Sequence, residues 1–197
     1  MEEFITKNGT KIIKTKLTDC YIIKPNVHGD NRGWFMEVYS EKVLQEAGLN
    51  YHFVQGNRSF TACKNTIRGL HFQKEPTTQA KLVECTRGVV DDVVVDIRIG
   101  SPTYKEWIKV RLDEEKKTQL LVPKGYIHGF ITRTDNVEFN YQVTDFYSGP
   151  DDGGILWNDP ELGIDWELNG ATPILSDKDM KHPVLSESKV KFYYKKI

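Results

Sequence analysis

The chain has 197 residues, of which 39% are hydrophobic, and this is enough apolar sequence for one compact domain with its own core. Its 27 lysines and arginines are balanced by 28 aspartates and glutamates, so no overall basic field would attract nucleic acid or an anionic membrane. The composition therefore argues against disorder, a nucleic-acid partner and a membrane partner.

The cysteines and the N-terminal residues further limit the kind of protein that the chain can be. Cys20, Cys63 and Cys85 are odd in number and lack a CxxC spacing, so neither a zinc site nor a disulfide framework is expected. Residues 1–12 lack the basic and apolar regions of a signal peptide, and no segment approaches the roughly 18 apolar residues of a membrane span. Without repeats or linkers, the sequence predicts one cytoplasmic domain over residues 1–197.

The first part of the chain carries strand patterns and one helix pattern. Short β-rich runs lie at 11–17, 21–24 and 34–39. Residues 40–47 follow, opened by Ser40 as a cap and closed by Gly48, and this pattern predicts a helix.

The segment from Thr66 to Val83 places titratable residues inside apolar β sequence. Arg68 and His71 lie on opposite faces of a strand unless Gly69 bends it, and a glycine within a strand often marks such a bend. We expect His71 to share its face with Gln73, and Lys81 follows in the next β-rich stretch.

Residues 92–99 show the most regular alternation in the chain. Val93, Val95, Ile97 and Ile99 form an apolar face opposite a mixed face. Further β-rich runs lie at 107–112, 119–122, 127–133 and 137–143. Many short, closely spaced strands with few helices predict an all-β fold, a jelly roll or closed barrel whose interior holds one small ligand.

A second titratable segment, 122–130, joins a turn to a strand. There, His128 faces the same way as Phe130, and Gly129 allows another group to approach the backbone closely. The remaining histidines are expected to be structural or exposed, and they are His28, His52 and His182.

These residues allow two kinds of chemistry. His71 and His128, with Glu75 as a third ligand, suggest a metal site, but Gln73 occupies the place of a second HxH histidine and Lys81 adds a positive charge that repels a metal. Alternatively, a neutral imidazole removes a proton alpha to a ketone, and an ammonium stabilises the resulting enolate without a metal.

The second chemistry also needs an acid and an orienting carboxylate. Tyr141 shares a face with Phe139, so it is either an aromatic filler of the barrel wall or a proton donor on the opposite side of the carbanion. A carboxylate from 157–160 or from 175–179 could orient His71 and stabilise its protonated form.

Several motifs, in order along the chain, resemble those of the dTDP-4-dehydrorhamnose 3,5-epimerases, a family of metal-independent cupins that form the precursor of dTDP-L-rhamnose. The resemblance runs from about residue 20 to about residue 183. Its motifs lie at 30–35, 55–57, 68–71, 81–83, 123–130, 157–160 and 175–179. It implies a cupin jelly roll with a few short helices and without a cofactor or a metal.

The resemblance also implies the reaction, which is epimerisation at C3 and C5 of dTDP-4-keto-6-deoxy-D-glucose to dTDP-4-keto-L-rhamnose through an enolate. In that reaction His71 is the base and Asp179 its orienting partner, although Asp177 lies only two residues away. Lys81 stabilises the enolate, and Tyr141 is the acid.

The family likeness further implies a nucleotide-sugar site and a homodimer. Gln55, Asn57, Arg68 and His128 line the sugar and phosphate site. Arg32, Phe35 and Glu37 come from an exchanged N-terminal strand of the partner subunit. Arg32 and Arg68 are the first choices for the diphosphate, because the guanidinium fork matches phosphate oxygens. Gly56 and Arg58 depart from the family pattern beside the nucleotide contacts.

Three other functions remain open at this point. An epimerase acting at C3 or C5 alone, or a ketoisomerase of another nucleotide deoxysugar, would use the same base with a different acid or binding pose. A metal-dependent cupin oxygenase would contain bound iron, and a sugar-binding module would bind ligand without exchanging carbon-bound hydrogen.

Overall fold

Strands dominate residues 2–195, the part of the chain that the computed structural model describes. The strands are β1 (Glu3–Ile5), β2 (Lys11–Lys14), β3 (Tyr21–Lys24), β4 (Val27–Asp30), β5 (Gly33–Met36), β6 (Gln55–Thr61), β7 (Ile67–Gln73), β8 (Lys81–Arg87), β9 (Val89–Asp96), β10 (Arg98–Ile99), β11 (Trp107–Asp113), β12 (Gln119–Val122), β13 (Tyr126–Thr132), β14 (Val137–Val143), β15 (Asp152–Gly154) and β16 (Phe192–Tyr193). The helix α1 is Glu41–Glu46, and short 3₁₀ turns cover Gly149–Asp151, Asp179–Lys181 and Leu185–Glu187.

Two antiparallel sheets pack face to face. The larger has seven strands in the order β1-β2-β3-β12-β8-β14-β6, and the smaller has five in the order β11-β9-β13-β7-β15. The inward faces of both sheets form the inner core, in which Phe130 and Phe139 stack with ring centroids 4.3 Å apart. This arrangement confirms the all-β jelly roll predicted from the sequence.

The outer faces of the two sheets are also covered. Residues of the segment 155–192, including Ile155, Trp166 and Phe192, pack on the five-stranded sheet. Leu44 of α1 packs with Ile12, Ile23, Leu82 and Leu121 on the seven-stranded sheet. Helix α1 confirms the helix predicted at 40–47, since the Ser40 hydroxyl accepts a hydrogen bond from the Val43 amide at 3.4 Å.

Strand β9 corrects the alternation predicted over 92–99. The strand ends at Asp96, and Ile99 on β10 is 38% exposed instead of lying on a continuous apolar face. Val93 and Val95 pack under residues of the segment 155–192, whereas Val94 lies in the inner core. The mixed face, which also carries Asp92, is therefore the one that lines the interior.

The predicted run 11–17 is shorter in the structure, because β2 ends at Lys14 and Leu17 enters the inner core from a turn. The β4–β5 hairpin forms a separate two-stranded sheet. Its aromatic side chains are exposed, with Trp34 at 60% and Phe35 at 70%. Among the described residues, no helix is long and apolar enough to cross a membrane.

Strands β7 and β13 approach unusually closely at a pair of glycines. A Cβ at Gly129 would lie 2.7 Å from the Arg68 carbonyl oxygen and 3.1 Å from the Gly69 Cα. The register of the two strands shifts here, with His128 opposite His71 but Phe130 opposite Arg68, so β7 holds one extra residue. This bulge is the bend that the sequence allowed at Gly69.

We expect Gly129→Ala to destabilise the protein, because the added methyl group would force these two backbones apart. Overpacking of this kind costs about 1–3 kcal/mol, which corresponds to roughly 2–12 °C in the melting temperature of a domain of this size. Calorimetry measures the shift. Gly56→Ala is the matched control, because nothing lies within 4 Å of a Cβ there, and an equal loss in both variants would contradict the close-approach argument.

Candidate active site

A cavity of about 390 Å³ opens between the two sheets, a volume within the range of small-molecule sites. Its walls come from β6, β7, β8, β13 and β14, and the C-terminal segment 174–179 borders it. The bulge at Gly69 turns both Arg68 and His71 towards this cavity, although they are three residues apart.

His71 is paired with a buried carboxylate. Its Nε2 lies 2.6 Å from Oδ1 of Asp179, which is only 4% exposed and begins a 3₁₀ turn. Burial opposes the charge on Asp179, but the hydrogen bond and charge of His71 keep the pKa of the carboxyl below its ordinary value. Because Nε2 is held by Asp179, Nδ1 is the ring nitrogen of His71 left to accept a proton.

The two sequence segments proposed to orient His71 are thereby distinguished. Asp177 is exposed. Asp159 is buried, but its carboxylate accepts hydrogen bonds from the backbone amides of Glu161, Leu162 and Leu185. Asp179 is therefore the carboxylate in contact with the imidazole.

Lys81 and Tyr141 enter the same cavity from the seven-stranded sheet. Removal from water lowers the pKa of Lys81 to about 8, while the negative charges of Asp152 and Asp92 act in the opposite direction. Burial raises the pKa of Tyr141, so its phenol keeps its proton well above neutral pH. An ammonium and a phenol thus face the imidazole.

His128 lies deeper in the cavity and is also paired with a carboxylate. Its Nε2 lies 2.8 Å from Oδ2 of Asp92, a residue with no exposed surface. Burial raises the pKa of Asp92, although the nearby His128 and Lys81 counteract this. As predicted, His128 shares its face with Phe130, and both line the cavity.

The other predicted binding residues are only partly brought together. Arg68 lines the cavity and donates to the Thr61 hydroxyl at 3.0 Å. Gln55 and Asn57 lie further along β6, joined by a hydrogen bond of 2.8 Å. Asn57 borders a neighbouring depression that also contacts Tyr141.

Arg32, Phe35 and Glu37 do not reach the cavity of their own chain. Arg32 pairs with Asp30 beside it, and Glu37 accepts a hydrogen bond of 3.2 Å from Asn8. The hairpin that carries Arg32 and Phe35 points into solvent.

Glu75, weighed from the sequence as a third metal ligand, does not join His71 and His128 in the cavity. The Gln73 amide donates to backbone carbonyls, including that of Phe146 at 2.9 Å, and Glu75 is exposed. Instead, His182 lies beside the His71–Asp179 pair: its side chain is 10% exposed and its Nε2 is 3.6 Å from Asp179 Oδ1. Burial and the charge of His71 lower the pKa of His182.

Sequence reasoning missed His182 and three charged residues near the cavity, which are Asp92, Asp152 and Lys178. Asp152 and Lys178 form an ion pair. One available signal was the spacing of His182, since a residue three positions after Asp179 lies on the same side of a helical turn. Asp92 belongs to the alternating run 92–99, but it lies on the mixed face, which the sequence did not identify as the inner one.

Comparisons with known proteins place the chain in a family. The family described as dTDP-4-dehydrorhamnose 3,5-epimerase matches residues 14–187. The dTDP-4-dehydrorhamnose 3,5-epimerase of Shigella flexneri is 47% identical over 170 residues, covering 86% of this chain and 92% of the relative.

Solved structures show the same similarity. The Bacillus anthracis dTDP-4-dehydrorhamnose 3,5-epimerase, with TDP and PPi bound, has a TM-score of 0.86 and 46% identity, covering 90% of this chain and 100% of that one. A 3,5-epimerase from Legionella pneumophila, in complex with dTDP-4-keto-L-rhamnose, has a TM-score of 0.89 and 39% identity, covering 94% and 100% of the two chains.

We expect the contact with Asp179 to hold neutral His71 in the tautomer that carries its proton on Nε2, because only a protonated Nε2 can donate to the carboxylate. Long-range ¹⁵N–¹H spectra of histidine-labelled protein report which nitrogen is protonated. Asp179→Asn should redistribute the tautomers, whereas Asp177→Asn should leave the His71 signals unchanged. A neutral His71 protonated mainly on Nδ1 in the parent protein would contradict this assignment.

Proposed function

The chain belongs to the dTDP-4-dehydrorhamnose 3,5-epimerase family, whose members are isomerases, and we propose that its cavity inverts C3 and C5 of dTDP-4-keto-6-deoxy-D-glucose to give dTDP-4-keto-L-rhamnose. One observation supports this proposal above the others. The His71–Asp179 pair belongs to one wall of the cavity, and Lys81 and Tyr141 belong to the facing wall.

The first step is proton abstraction. His71 removes the proton from the carbon next to the C4 ketone through Nδ1, and the electron pair moves towards the ketone oxygen to form an enolate. Asp179 accepts the hydrogen bond of the resulting imidazolium, so the new positive charge lies beside a buried negative one.

The enolate oxygen carries the developing negative charge. Lys81 supplies a cation inside a cavity partly removed from water, where such an interaction is stronger than in bulk solvent. In this mechanism the chain's own ammonium stabilises the charge, and the proposed step requires no metal.

Inversion requires the new proton to arrive on the other face of the carbanion. His71 lies on β7 of the five-stranded sheet, whereas Tyr141 lies on β14 of the seven-stranded sheet. A sugar held between the sheets would meet the base on one side and the phenol on the other. The raised pKa of Tyr141 keeps the phenol protonated and able to donate.

Substrate binding involves the remaining predicted residues. We propose that Arg68 and His128 contact the sugar and phosphates within the cavity, with Gln55 and Asn57 along the same side of β6. Arg68, Gln55 and Asn57 offer hydrogen-bond donors to an anionic, hydroxyl-rich ligand, and His128 offers its remaining ring nitrogen.

The β4–β5 hairpin supports a homodimer in which the partner completes the site. Its exposed Trp34 and Phe35 are apolar surface that a second copy of the chain would cover. We propose that Arg32, Phe35 and Glu37 of each subunit serve the cavity of the other, and that residues 1–197 act as one domain.

The central experiment is solvent exchange. In D₂O, the protein should introduce deuterium at both C3 and C5 of dTDP-4-keto-6-deoxy-D-glucose, and NMR locates the label. Label at one carbon alone would identify a single-site epimerase. Absence of label, while a known epimerase labels the same substrate in a parallel mixture, would refute the proposed reaction.

Two variants separate the base from the acid. His71→Ala should lose roughly 10²- to 10⁴-fold in rate, the usual contribution of a general base. Tyr141→Phe should still exchange deuterium but give the wrong stereochemical outcome, which product NMR detects. Loss of all exchange in Tyr141→Phe would show that the phenol is not simply the acid.

Lys81 should set an alkaline limit to activity. A lysine is cationic below its pKa and neutral above it, so kcat/KM should fall as the pH rises through about 8. In Asp152→Asn, a negative charge that favours the ammonium is removed, and the limit should move to lower pH. A limit that stays in place in Asp152→Asn and persists in Lys81→Met would exclude Lys81 as its source.

A further inference from the structure

His182 is fitted closely behind the His71–Asp179 pair. It directly follows the 3₁₀ turn that Asp179 begins, and its ring packs on the backbone of β15. A Cβ at Gly154 would overlap Nε2 of His182 and lie 2.5 Å from its Cδ2. Strand β15 therefore leaves room for this imidazole only because position 154 has no side chain.

The Nε2 atom of His182 is buried and has no hydrogen-bond partner among the described residues. Its 3.6 Å separation from Asp179 Oδ1 is too long for a hydrogen bond. The His182 and His71 rings meet edge to face, with centroids 5.8 Å apart. A buried polar atom without a partner is unfavourable, and it leaves a nitrogen ligand available next to a carboxylate.

The ligand atoms of His71, Asp179 and His182 all lie within 4.8 Å of one another. Two imidazoles and one carboxylate are a common donor set for divalent transition metals. We propose that these three residues bind a divalent transition-metal ion such as Zn²⁺, and that the bound ion inhibits the enzyme. The inhibitory part rests on the proposed role of His71 as the base.

The two separations that involve Asp179 suit such an ion after a small adjustment. Tetrahedral Zn²⁺ with bonds of about 2.0–2.1 Å places its ligand atoms about 3.3 Å apart. The separation of His182 from Asp179 is already 3.6 Å. The separation of His71 Nε2 from Asp179 Oδ1 is 2.6 Å. It would lengthen by less than about 1 Å once the ion replaces the proton between them.

The expected inhibition follows from which ring nitrogen of His71 carries the proton. Neutral His71 carries its proton on Nε2 and its lone pair on Nδ1. When the ion bonds to Nε2, the ring can stay neutral only if that proton moves to Nδ1. No proton is then gained or lost overall, but the lone pair that would attack the substrate has gone. The ion therefore lowers kcat even where the substrate still binds.

Direct binding tests the site independently of activity. Full-length protein is treated with EDTA, desalted and titrated with Zn²⁺ by calorimetry, and Co²⁺ provides a visible spectrum that reports nitrogen and oxygen ligands. The parent protein should bind one ion. His182→Ala should bind it at least about tenfold more weakly, because even changes outside the ligand set cost about 10- to 100-fold.

Two controls address other sources of binding. His52→Ala removes an imidazole whose side chain is 73% exposed, and Cys63→Ser removes an exposed thiol. Both should bind the ion as the parent does. His182→Asn serves as a second replacement if His182→Ala has a lowered melting temperature.

Activity completes the test. Zn²⁺ should inhibit the parent reversibly, with EDTA restoring the rate, and His182→Ala should be active and at least about tenfold less sensitive. Equal Zn²⁺ affinity in the parent and His182→Ala, or no binding to either, would overturn the site. If the ion binds through His182 but the parent lacks epimerase activity, the proposed function fails and the metal site stands.

Discussion

The close approach of β7 and β13 is the constraint on which the site depends. Because Gly69 and Gly129 lack side chains, the two backbones come together and β7 accommodates one extra residue. Two side chains that regular alternation would place on opposite faces, Arg68 and His71, then both face the cavity. A guanidinium and an imidazole thus share one wall, and β7 stays paired with β13 on both sides of the bulge.

The two packed sheets meet the stereochemical requirement of an epimerisation. Exchange of a proton between two faces of a planar carbanion needs two groups on opposite sides, and the two sheets supply opposite walls. In the interior, the buried carboxylate of Asp92 is paired through Oδ2 with His128, as a buried charge requires. Apolar packing around Phe130 and Phe139 keeps these groups in place.

Much of the fold could be predicted from local patterns. The helix at 40–47 carried its own cap, and short alternating runs indicated strands, so the all-β class was confirmed. Which face of β9 lines the interior could not be predicted, because both faces are buried. Only the packing of residues far away in the sequence decides which face is the inner one. At the site, motif order pointed to His71 and Asp179, which the structure brings into contact, whereas the only signal at His182 was its spacing of three from Asp179.

The chain also builds its site in a particular order in time. His71 and Asp179 are separated by 108 positions, and the carboxylate belongs to the segment that covers the five-stranded sheet last in the sequence. During translation, His71, Lys81 and Tyr141 leave the ribosome before Asp179 does. A nascent chain can therefore pair most of its strands while His71 still lacks a counter-charge, and the His71–Asp179 contact forms only when the C-terminal segment packs on the five-stranded sheet.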